Sequence, residues 1–217
     1  KILKKLKNLK IIFSLGAGVD HVLKLPSYKN TPIIRIQDPN MRSRMLNHVL
    51  SQILIYQLKL NEYNKAQQKN IWLDERLTAL NTDLTIGILG LGYLGKFIAN
   101  KLKSLNYNVI GYKNTVSTGK SQIPIHYKKS LKTFLKLSDI VVSVLPATIQ
   151  TRDLINKSFL NQMKKKSLLI NIGRGSSLNE IQLLQHIRKN QNFFASLDVF
   201  NKEPLPKNHK FWKNKNI

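Results

Sequence analysis

Apolar runs and segments of helical periodicity alternate along the second half of the chain. Buried strands that end in turns are predicted at 85–89, 108–112, 139–146, 167–172 and 195–200. Between them, apolar residues recur at three- and four-residue spacing, which is typical of helices packed on a sheet. Helices are predicted at 93–105, 130–137, 157–162 and 179–189, the last with Ile181, Leu184 and Ile187 directed inward. This alternation predicts an α/β fold with a doubly wound parallel sheet.

The first part of the chain has a different pattern. Strands are predicted at 9–15, where the strand is expected to be buried, and at 32–36. After a break at Asp38-Pro39-Asn40, apolar residues recur at helical spacing and predict one helix from Met41 to about Gln68. The polar segment that follows is interpreted as a loop with a few apolar anchors such as Trp72. The long helix is expected to cross between two domains.

A glycine-rich turn lies between the strand at 85–89 and the helix that follows it. Gly90, Gly92 and Gly95 have the G-x-G-x-x-G spacing of dinucleotide-binding turns. We expect Gly90 to allow the sharp turn, Gly92 to let a pyrophosphate approach the backbone, and Gly95 to let the helix pack closely on the strand. The positive end of the helix would then face the phosphates. The alternative is a turn that only connects the two elements.

The residue after the strand at 108–112 distinguishes between two cofactors. A carboxylate there would bind the ribose 2′-hydroxyl of NAD, whereas a cation would accept the 2′-phosphate of NADP. The chain has Lys113 at this place and no acid nearby, so NADP is expected, with NAD still possible. The alternative is that Lys113 is one more surface lysine in a lysine-rich chain.

Two further turns carry groups suited to a carboxylate. Arg174 lies between two glycines after the strand at 167–172, and a guanidinium can bind a carboxylate through two parallel hydrogen bonds. The flanking glycines are expected to clear space for a planar ligand group. The small-residue turn at 16–20 can hold a carboxylate through backbone N–H groups. Either turn can instead be a plain connection, and Arg174 can be an ordinary surface arginine.

Composition narrows the classes of function. The 217 residues include no cysteine, which excludes a disulfide framework, a thiolate zinc site and a cysteine nucleophile, and no metal site is expected. No apolar run is long enough to span a bilayer. Basic residues followed by an apolar run at 1–15 superficially resemble a secretory signal. A helix followed by a strand explains the same residues, so a cytoplasmic location is expected.

The net charge of +25 is the most unusual bulk property of the chain. Such a charge suggests nucleic acid or an anionic membrane as a partner. However, the lysines are spread over the whole length, and no stripe of aromatic residues interleaves with them, as single-strand binders require. We therefore expect neither partner and interpret the charge as compositional bias that still attracts anionic ligands.

Five motifs in the chain resemble those of the D-isomer-specific 2-hydroxyacid dehydrogenases. They are Leu15-Gly16-Ala17-Gly18-Val19-Asp20, Gly90-x-Gly92-x-x-Gly95, Val144-Leu145-Pro146, Asn171-Ile172-Gly173-Arg174-Gly175 and Leu197-Asp198-Val199-Phe200-x-x-Glu203-Pro204-Leu205-Pro206. The last motif, with Phe211-Trp212, is most similar to the glyoxylate/hydroxypyruvate reductase branch. The resemblance implies a Rossmann dinucleotide-binding domain at 46–217, incomplete at its C-terminal end, and part of a flavodoxin-like substrate domain at 1–45.

The resemblance implies reduction of a 2-oxo acid, glyoxylate or hydroxypyruvate, by hydride transfer from NAD(P)H. Arg174 would clamp the carboxylate and carbonyl of the substrate, and the backbone of Ala17 and Gly18 would hold the carboxylate from the other side. Asp198 would face the nicotinamide amide, and Glu203 would pair with the catalytic histidine. Further cofactor contacts are implied at Tyr93, Leu94, Leu145, Pro146, Thr151 and Ile172. Relatives are commonly dimers through the long helix region, so a homodimer is expected.

The sequence departs from the family pattern. The family's catalytic histidine lies a few residues beyond the position of Ile217, and His209, although near Glu203 in sequence, is not expected to replace it. Relatives also have more chain before Lys1, and Asn47 stands where their long helix usually carries an acid. We expect either a fragment of a longer enzyme or a truncated gene. The alternatives to a reductase are a dinucleotide-binding protein without turnover and, less favoured, a basic nucleic-acid-binding protein.

Overall fold

The chain folds as two units, Lys1–Ser43 and Arg44–Ile217, in the computed structural model, which describes residues 3, 6, 8–16, 18–74, 78–115 and 121–217. The first unit contains strand β1 (Ile12–Ser14), helix α1 (Asp20–Leu23) and strand β2 (Ile33–Arg35), and the two strands pair in parallel. β1 is shorter than the strand expected at 9–15. The expectation that this strand is buried is wrong, since 72% of Phe13 and 89% of Leu15 are exposed.

Two helices replace the single helix expected from Met41 to about Gln68. They are α2 (Pro39–Gln57) and α3 (Leu60–Gln67), separated by Leu58 and Lys59, and the φ of Lys59 is left-handed at 55°. The buried Gln57 ends α2, where its Nε2 donates to the carbonyl of Ala79 at 2.8 Å and its Oε1 accepts from the Tyr107 hydroxyl at 2.7 Å. These partners are distant in sequence, so the apolar spacing gave no sign of the break. Trp72, expected as an anchor, is 91% exposed.

A six-stranded parallel sheet forms the centre of the second unit. Its strands are β3 (Thr85–Leu89), β4 (Asn108–Lys113), β5 (Ile125–Tyr127), β6 (Ile140–Ser143), β7 (Ser167–Asn171) and β8 (Phe193–Leu197). They lie in the order β5-β4-β3-β6-β7-β8, so the strand order reverses between β3 and β6. The expected doubly wound parallel sheet is confirmed, although its last strand ends at Leu197 rather than at Phe200.

The other helices of this unit are α4 (Tyr93–Ser104), α5 (Leu131–Leu137), α6 (Lys157–Gln162) and α7 (Glu180–Lys189). Strand residues alternate between two buried clusters. Ile88 belongs to the cluster that includes Leu102 of α4, and Leu89 belongs to the cluster that includes Phe134 of α5. Because both faces of the sheet are buried, its strands are apolar nearly throughout. Among the described residues, every helix is too short or too polar to cross a membrane.

The buried face of α7 differs from the expected one. Leu183 and Ile187 are buried and Leu184 is half-buried, whereas Ile181 is 70% exposed. Positions 183 and 187 are four residues apart and therefore lie on one side of a helix. Positions 181 and 187 are six residues apart and lie on different sides, so Ile181 could not share the buried face.

Candidate active site

The glycine turn joins β3 to α4 beside the point where the strand order reverses. Gly90 has a φ of +100°, a backbone conformation that residues with side chains rarely adopt. A Cβ on Gly95 would lie 2.0 Å from the carbonyl oxygen of Gly90. A Cβ on Gly92, by contrast, would meet nothing within 4 Å. The backbone conformation thus explains why position 90 is glycine, and close packing explains why position 95 is glycine. None of the described residues requires a glycine at position 92.

The open space at Gly92 is what a bound phosphate group requires. Gly92 is the N-cap of α4, and no side chain of the described residues caps this helix. The first N–H groups of a helix have no partner within the helix, and the helix dipole favours anions there. Tyr93 and Leu94, the first two residues of α4, follow directly. The turn therefore fits the pyrophosphate of a dinucleotide.

Lys113 lies at the same edge of the sheet as the glycine turn. It is the last residue of β4, and the N–H of Gly90 donates to the carbonyl of the preceding residue, Tyr112, at 3.1 Å. Residues 84–138 contain nine lysines and neither aspartate nor glutamate. The βαβ segment around the turn therefore carries positive formal charge only, and it offers no carboxylate for a ribose 2′-hydroxyl.

The loop after β6 is closed by hydrogen bonds of Thr151. The Thr151 hydroxyl donates to the carbonyl of Pro146 at 2.6 Å, and the N–H of Thr148 donates to Thr151 Oγ1 at 2.9 Å. A Cβ on Gly173 would lie 2.6 Å from both the nitrogen and the oxygen of Leu145. The loops that follow β6 and β7 therefore contact each other at this edge of the sheet.

Arg174 is half-buried in the turn after β7, and its Nη1 donates to the carbonyl of Gly173 at 2.8 Å. The expectation that the flanking glycines clear space for a ligand is wrong. A Cβ on Gly173 would meet the backbone of Leu145, and a Cβ on Gly175 would lie 2.0 Å from the carbonyl carbon of Phe200. Both glycines therefore admit the backbone of neighbouring loops.

Ile172 lies just before this turn and is only 4% exposed, within the cluster that includes Ile88. Its N–H donates to the carbonyl of Ser143 at 3.1 Å. Its side chain belongs to the core of the sheet. A cofactor contact at Ile172 would therefore have to use its backbone.

Asp198 and Glu203 follow β8, and both are exposed. The N–H of Asp198 donates to the carbonyl of Asn171 at 3.0 Å, which places Asp198 beside the end of β7. Glu203 Oε1 accepts from the N–H of Phe200 at 2.9 Å. Within the described part of the chain, no histidine pairs with Glu203. His209 instead has its Nε2 3.6 Å from a carboxylate oxygen of Glu180.

The small-residue turn after β1 belongs to the first unit. Ser14 Oγ donates to the carbonyl of Gly16 at 2.9 Å, so the turn is partly closed by its own side chain. Gly18 is half-buried. Ala17, the other residue implied to hold the substrate carboxylate, lies outside the described residues.

Burial raises the pKa of Tyr107 and of Tyr112, whose carbonyl accepts from the N–H of Gly90 in the glycine turn. Burial lowers the pKa of His186 in α7. Burial, together with the charge of Asp139, raises the pKa of Tyr56 in α2 to about 12. Both carboxylate oxygens of Asp139 have hydrogen-bond partners. Oδ2 accepts from the N–H of Thr85 at 3.0 Å, and Oδ1 accepts from Lys164 Nζ at 2.7 Å. No cluster of acidic and histidine side chains that could hold a metal ion occurs among the described residues.

Sequence reasoning missed two buried polar residues at this edge, Asn171 and Ser177. Asn171 is the last residue of β7, and its Nδ2 donates to the carbonyl of Arg174 at 3.2 Å. Ser177 Oγ donates to the same carbonyl at 2.8 Å. For Asn171, the sequence signal that could have indicated a function was its position as a polar residue at the end of an apolar run.

Comparison with known proteins shows which family the chain resembles in sequence and structure. The family model described as D-isomer specific 2-hydroxyacid dehydrogenase, NAD binding domain, matches residues 50–217. Glyoxylate/hydroxypyruvate reductase A of Photorhabdus laumondii is 35% identical, with 100% of this chain and 71% of that protein covered. Its namesake from Yersinia enterocolitica is 34% identical, with 96% of this chain and 68% of that protein covered.

Solved structures give the same result. An NADPH-dependent glyoxylate/hydroxypyruvate reductase of Sinorhizobium meliloti in complex with NADP and sulfate is 33% identical with a TM-score of 0.90, with 96% of this chain and 67% of that chain covered. A D-isomer specific 2-hydroxyacid dehydrogenase of Xanthobacter autotrophicus Py2 in complex with NADPH and MES is 31% identical with a TM-score of 0.92, with 99% and 68% covered. The chain therefore belongs to the D-isomer specific 2-hydroxyacid dehydrogenase family.

Proposed function

We propose that the protein is an NADPH-dependent reductase of small 2-oxo acids, with glyoxylate or hydroxypyruvate as its substrate. The observation that carries the proposal is the position of the glycine turn, Lys113, Arg174 and Asp198 at or within three residues of the ends of β3, β4, β7 and β8. Carboxyl ends of parallel strands lie at one edge of a sheet, where open α/β sheets bind ligands. The family and the names of the relatives support the same reaction.

The groups on this edge suit the two reactants. The backbone N–H groups at the start of α4 would hold the pyrophosphate of NADP, and Lys113 its 2′-phosphate. Asp198 would face the nicotinamide amide. When bound, the reduced cofactor supplies the hydride. Arg174 would bind the carboxylate of the 2-oxo acid and stabilise the negative charge that develops on its carbonyl oxygen.

Other roles come from the family resemblance and stay predictions. Cofactor contacts are predicted at Tyr93, Leu94, Leu145, Pro146, Thr151 and Ile172. Substrate contacts are predicted at the backbone of Ala17 and Gly18. Glu203 is predicted to orient and charge a histidine that protonates the product oxygen. The substrate domain at 1–45 and the dinucleotide-binding domain at 46–217 are proposed on the same basis.

Turnover of the protein at its natural length tests the proposal. Loss of NADPH absorbance on addition of glyoxylate or hydroxypyruvate, with formation of glycolate or glycerate, would support it. NADPH binding without consumption of either acid would instead indicate a dinucleotide-binding protein without turnover. Salt-dependent binding to DNA or RNA without affinity for NADPH would indicate a nucleic-acid-binding protein.

Lys113→Asp should move cofactor preference from NADPH toward NADH. The substitution removes a cation that would hold the 2′-phosphate and adds a carboxylate that can accept from the ribose 2′-hydroxyl. A charge-assisted contact of this kind corresponds to about a tenfold to hundredfold change in the ratio of kcat/KM for NADPH to that for NADH. Steady-state kinetics with both cofactors measure this ratio.

Lys101→Asp provides the matched control for that substitution. Lys101 is an exposed lysine in the last turn of α4, at the opposite end from the glycine turn. The change in net charge is identical, so a nonspecific effect of charge would alter both variants equally. An unchanged ratio in Lys113→Asp, or an equal change in Lys101→Asp, would count against Lys113 as the group that binds the 2′-phosphate.

We also propose that the protein is a homodimer and that residues 58–74 and 78–80 contribute to its interface. Exposed apolar side chains are frequent there. The exposed fractions are 37% for Leu58, 39% for Leu60, 53% for Ile71, 91% for Trp72 and 68% for Leu80. Aromatic and aliphatic groups exposed to this extent favour burial against a partner, and Trp is enriched in interfaces.

Trp72→Glu should shift the protein from dimer to monomer, because a charge would replace a large apolar contact at the interface. Sedimentation velocity over a range of concentrations measures the change. Ile181→Glu, at another exposed apolar residue in α7, is the control and should leave the oligomeric state unchanged. A Trp72→Glu protein that stays dimeric would contradict the proposed interface.

We propose a cytoplasmic location for the protein. A chain without cysteine gains nothing from an oxidising compartment, where disulfides form and persist. Fractionation of the source cells with antibody detection of the protein tests this location.

A further inference from the structure

We propose that two wholly buried residues, Asn171 and Ser177, are positioning residues that hold the Arg174 turn in the conformation in which its guanidinium binds the substrate. The inference rests on the proposed function of Arg174. Both side chains are polar and 0% exposed. Most polar groups at such depth have hydrogen-bond partners, and the partners of these two side chains converge on one turn.

Asn171 bonds the turn on both sides of the peptide between Gly173 and Arg174. Its Oδ1 accepts from the N–H of Gly173 at 3.3 Å, and its Nδ2 donates to the carbonyl of Arg174 at 3.2 Å. The first bond fixes the peptide before Gly173, and the second fixes the peptide after Arg174. A carboxamide offers a donor and an acceptor in one plane without ionising, so Asn171 makes both bonds as a neutral group.

The peptide between those two fixed peptides binds the guanidinium. Arg174 Nη1 donates to the carbonyl of Gly173 at 2.8 Å. The direction of that carbonyl depends on the peptides on either side of it, and Asn171 holds both. The side chain of Asn171 therefore contributes to the position of the guanidinium through the backbone, although the two side chains need not touch each other.

Ser177 holds the same turn from its other end. Its Oγ donates to the carbonyl of Arg174 at 2.8 Å and its N–H donates to the same oxygen at 3.2 Å. With Asn171 Nδ2, this carbonyl accepts from three donors. Arg174 is extended, with φ −142° and ψ 139°, between β7 and the turn Gly175–Ser177.

Asn171 also connects Arg174 to Asp198. The N–H of Asp198 donates to the backbone carbonyl of Asn171 at 3.0 Å. One buried residue thus contacts the backbone of both the proposed substrate-binding group and the proposed nicotinamide-facing group. Removal of the Asn171 side chain leaves the contact with Asp198 in place, so its effects should fall on the substrate more than on the cofactor.

Kinetics of Asn171→Ala and Ser177→Ala in the protein at its natural length test the inference. We expect KM for glyoxylate and Ki for oxalate, an unreactive carboxylate probe, to rise roughly tenfold or more in Asn171→Ala, the change associated with loss of about one hydrogen bond. Ser177→Ala should show a smaller rise of about threefold, because the backbone N–H of Ser177 still bonds the carbonyl. KM for NADPH should stay within about twofold in both variants.

Asn156→Ala is the matched control. Asn156 caps α6, where its Oδ1 accepts from the N–H of Phe159 at 3.1 Å, and within the described part of the chain its side chain makes no hydrogen bond to the Arg174 turn. Loss of this cap should lower thermal stability without changing KM for glyoxylate. If Asn171 had a purely structural role, Asn171→Ala would show this same pattern, with lower stability and an unchanged KM.

The outcomes separate this inference from the proposed function. Wild-type turnover with an unchanged glyoxylate KM in folded Asn171→Ala would overturn the inference alone. If Asn171→Ala does not fold, an unchanged KM in Ser177→Ala would overturn it instead. Wild-type protein that binds NADPH but neither reduces glyoxylate nor binds oxalate would overturn the proposed function and the inference together.

Discussion

Arg174→Ala should lower kcat/KM for glyoxylate by about 10²- to 10⁴-fold in the protein at its natural length. Two charge-assisted hydrogen bonds to the substrate, each worth about 1.5–3 kcal/mol, would be lost with the guanidinium. Stabilisation of the developing charge on the carbonyl oxygen would be lost as well. Initial rates with NADPH at several glyoxylate concentrations measure the effect.

Two further variants show whether the effect belongs to the guanidinium. Arg174→Lys keeps the charge but not the planar pair of donors, so we expect it to recover only part of the activity. Arg188→Ala removes an exposed arginine of α7 and should leave the kinetics unchanged. NADPH affinity should be similar in all three variants. Near-normal turnover of Arg174→Ala would falsify the role assigned to this residue.

Gly92→Ala should lower cofactor affinity with little change in stability, whereas Gly95→Ala should lower stability. Gly92 has φ −74° and ψ −161°, which other residues adopt, and a Cβ there meets no protein atom within 4 Å. The alanine variant should therefore fold with a free energy of unfolding within about 1 kcal/mol of wild type. Its Cβ would occupy the space assigned to the pyrophosphate, so NADPH affinity should fall about tenfold to hundredfold.

The same substitution three residues later should destabilise the protein itself. A Cβ on Gly95 would lie 2.0 Å from the Gly90 carbonyl oxygen, so α4 would have to move away from the turn. Overpacking of this kind costs about 1–3 kcal/mol or more. Thermal unfolding and fluorescence titration with NADPH measure the two quantities. Wild-type NADPH affinity in Gly92→Ala would contradict a phosphate site at this turn.

Much of the candidate site could be predicted from the sequence because its residues lie at or near the ends of strands. Gly90, Lys113, Arg174 and Asp198 each lie at or next to the end of an apolar run, and the carboxyl ends of parallel strands meet at one edge. The position of each residue relative to the end of its strand therefore predicted that these residues lie near one another. The flanking glycines of Arg174 show where this reasoning fails, since their near neighbours Leu145 and Phe200 come from other loops.

Asn171 illustrates a second kind of failure. In the sequence it is one polar residue at the end of an apolar run, and although it begins the motif that contains Arg174, no function was predicted for it. Its function as proposed depends on its burial and on bonds to Gly173, Arg174 and Asp198. The bond to Asp198 joins residues that α7 separates in the chain.

The sequence by itself determined the alternation of strands and helices, the glycine turn and the basic character of residues 84–138, because periodicity, turn spacing and charge are local properties. Only the tertiary structure decided where α2 ends, which side of α7 is buried and why Gly173 and Gly175 lack side chains. Each of these depends on atoms that are distant in sequence and become neighbours only when the sheet and its loops pack together.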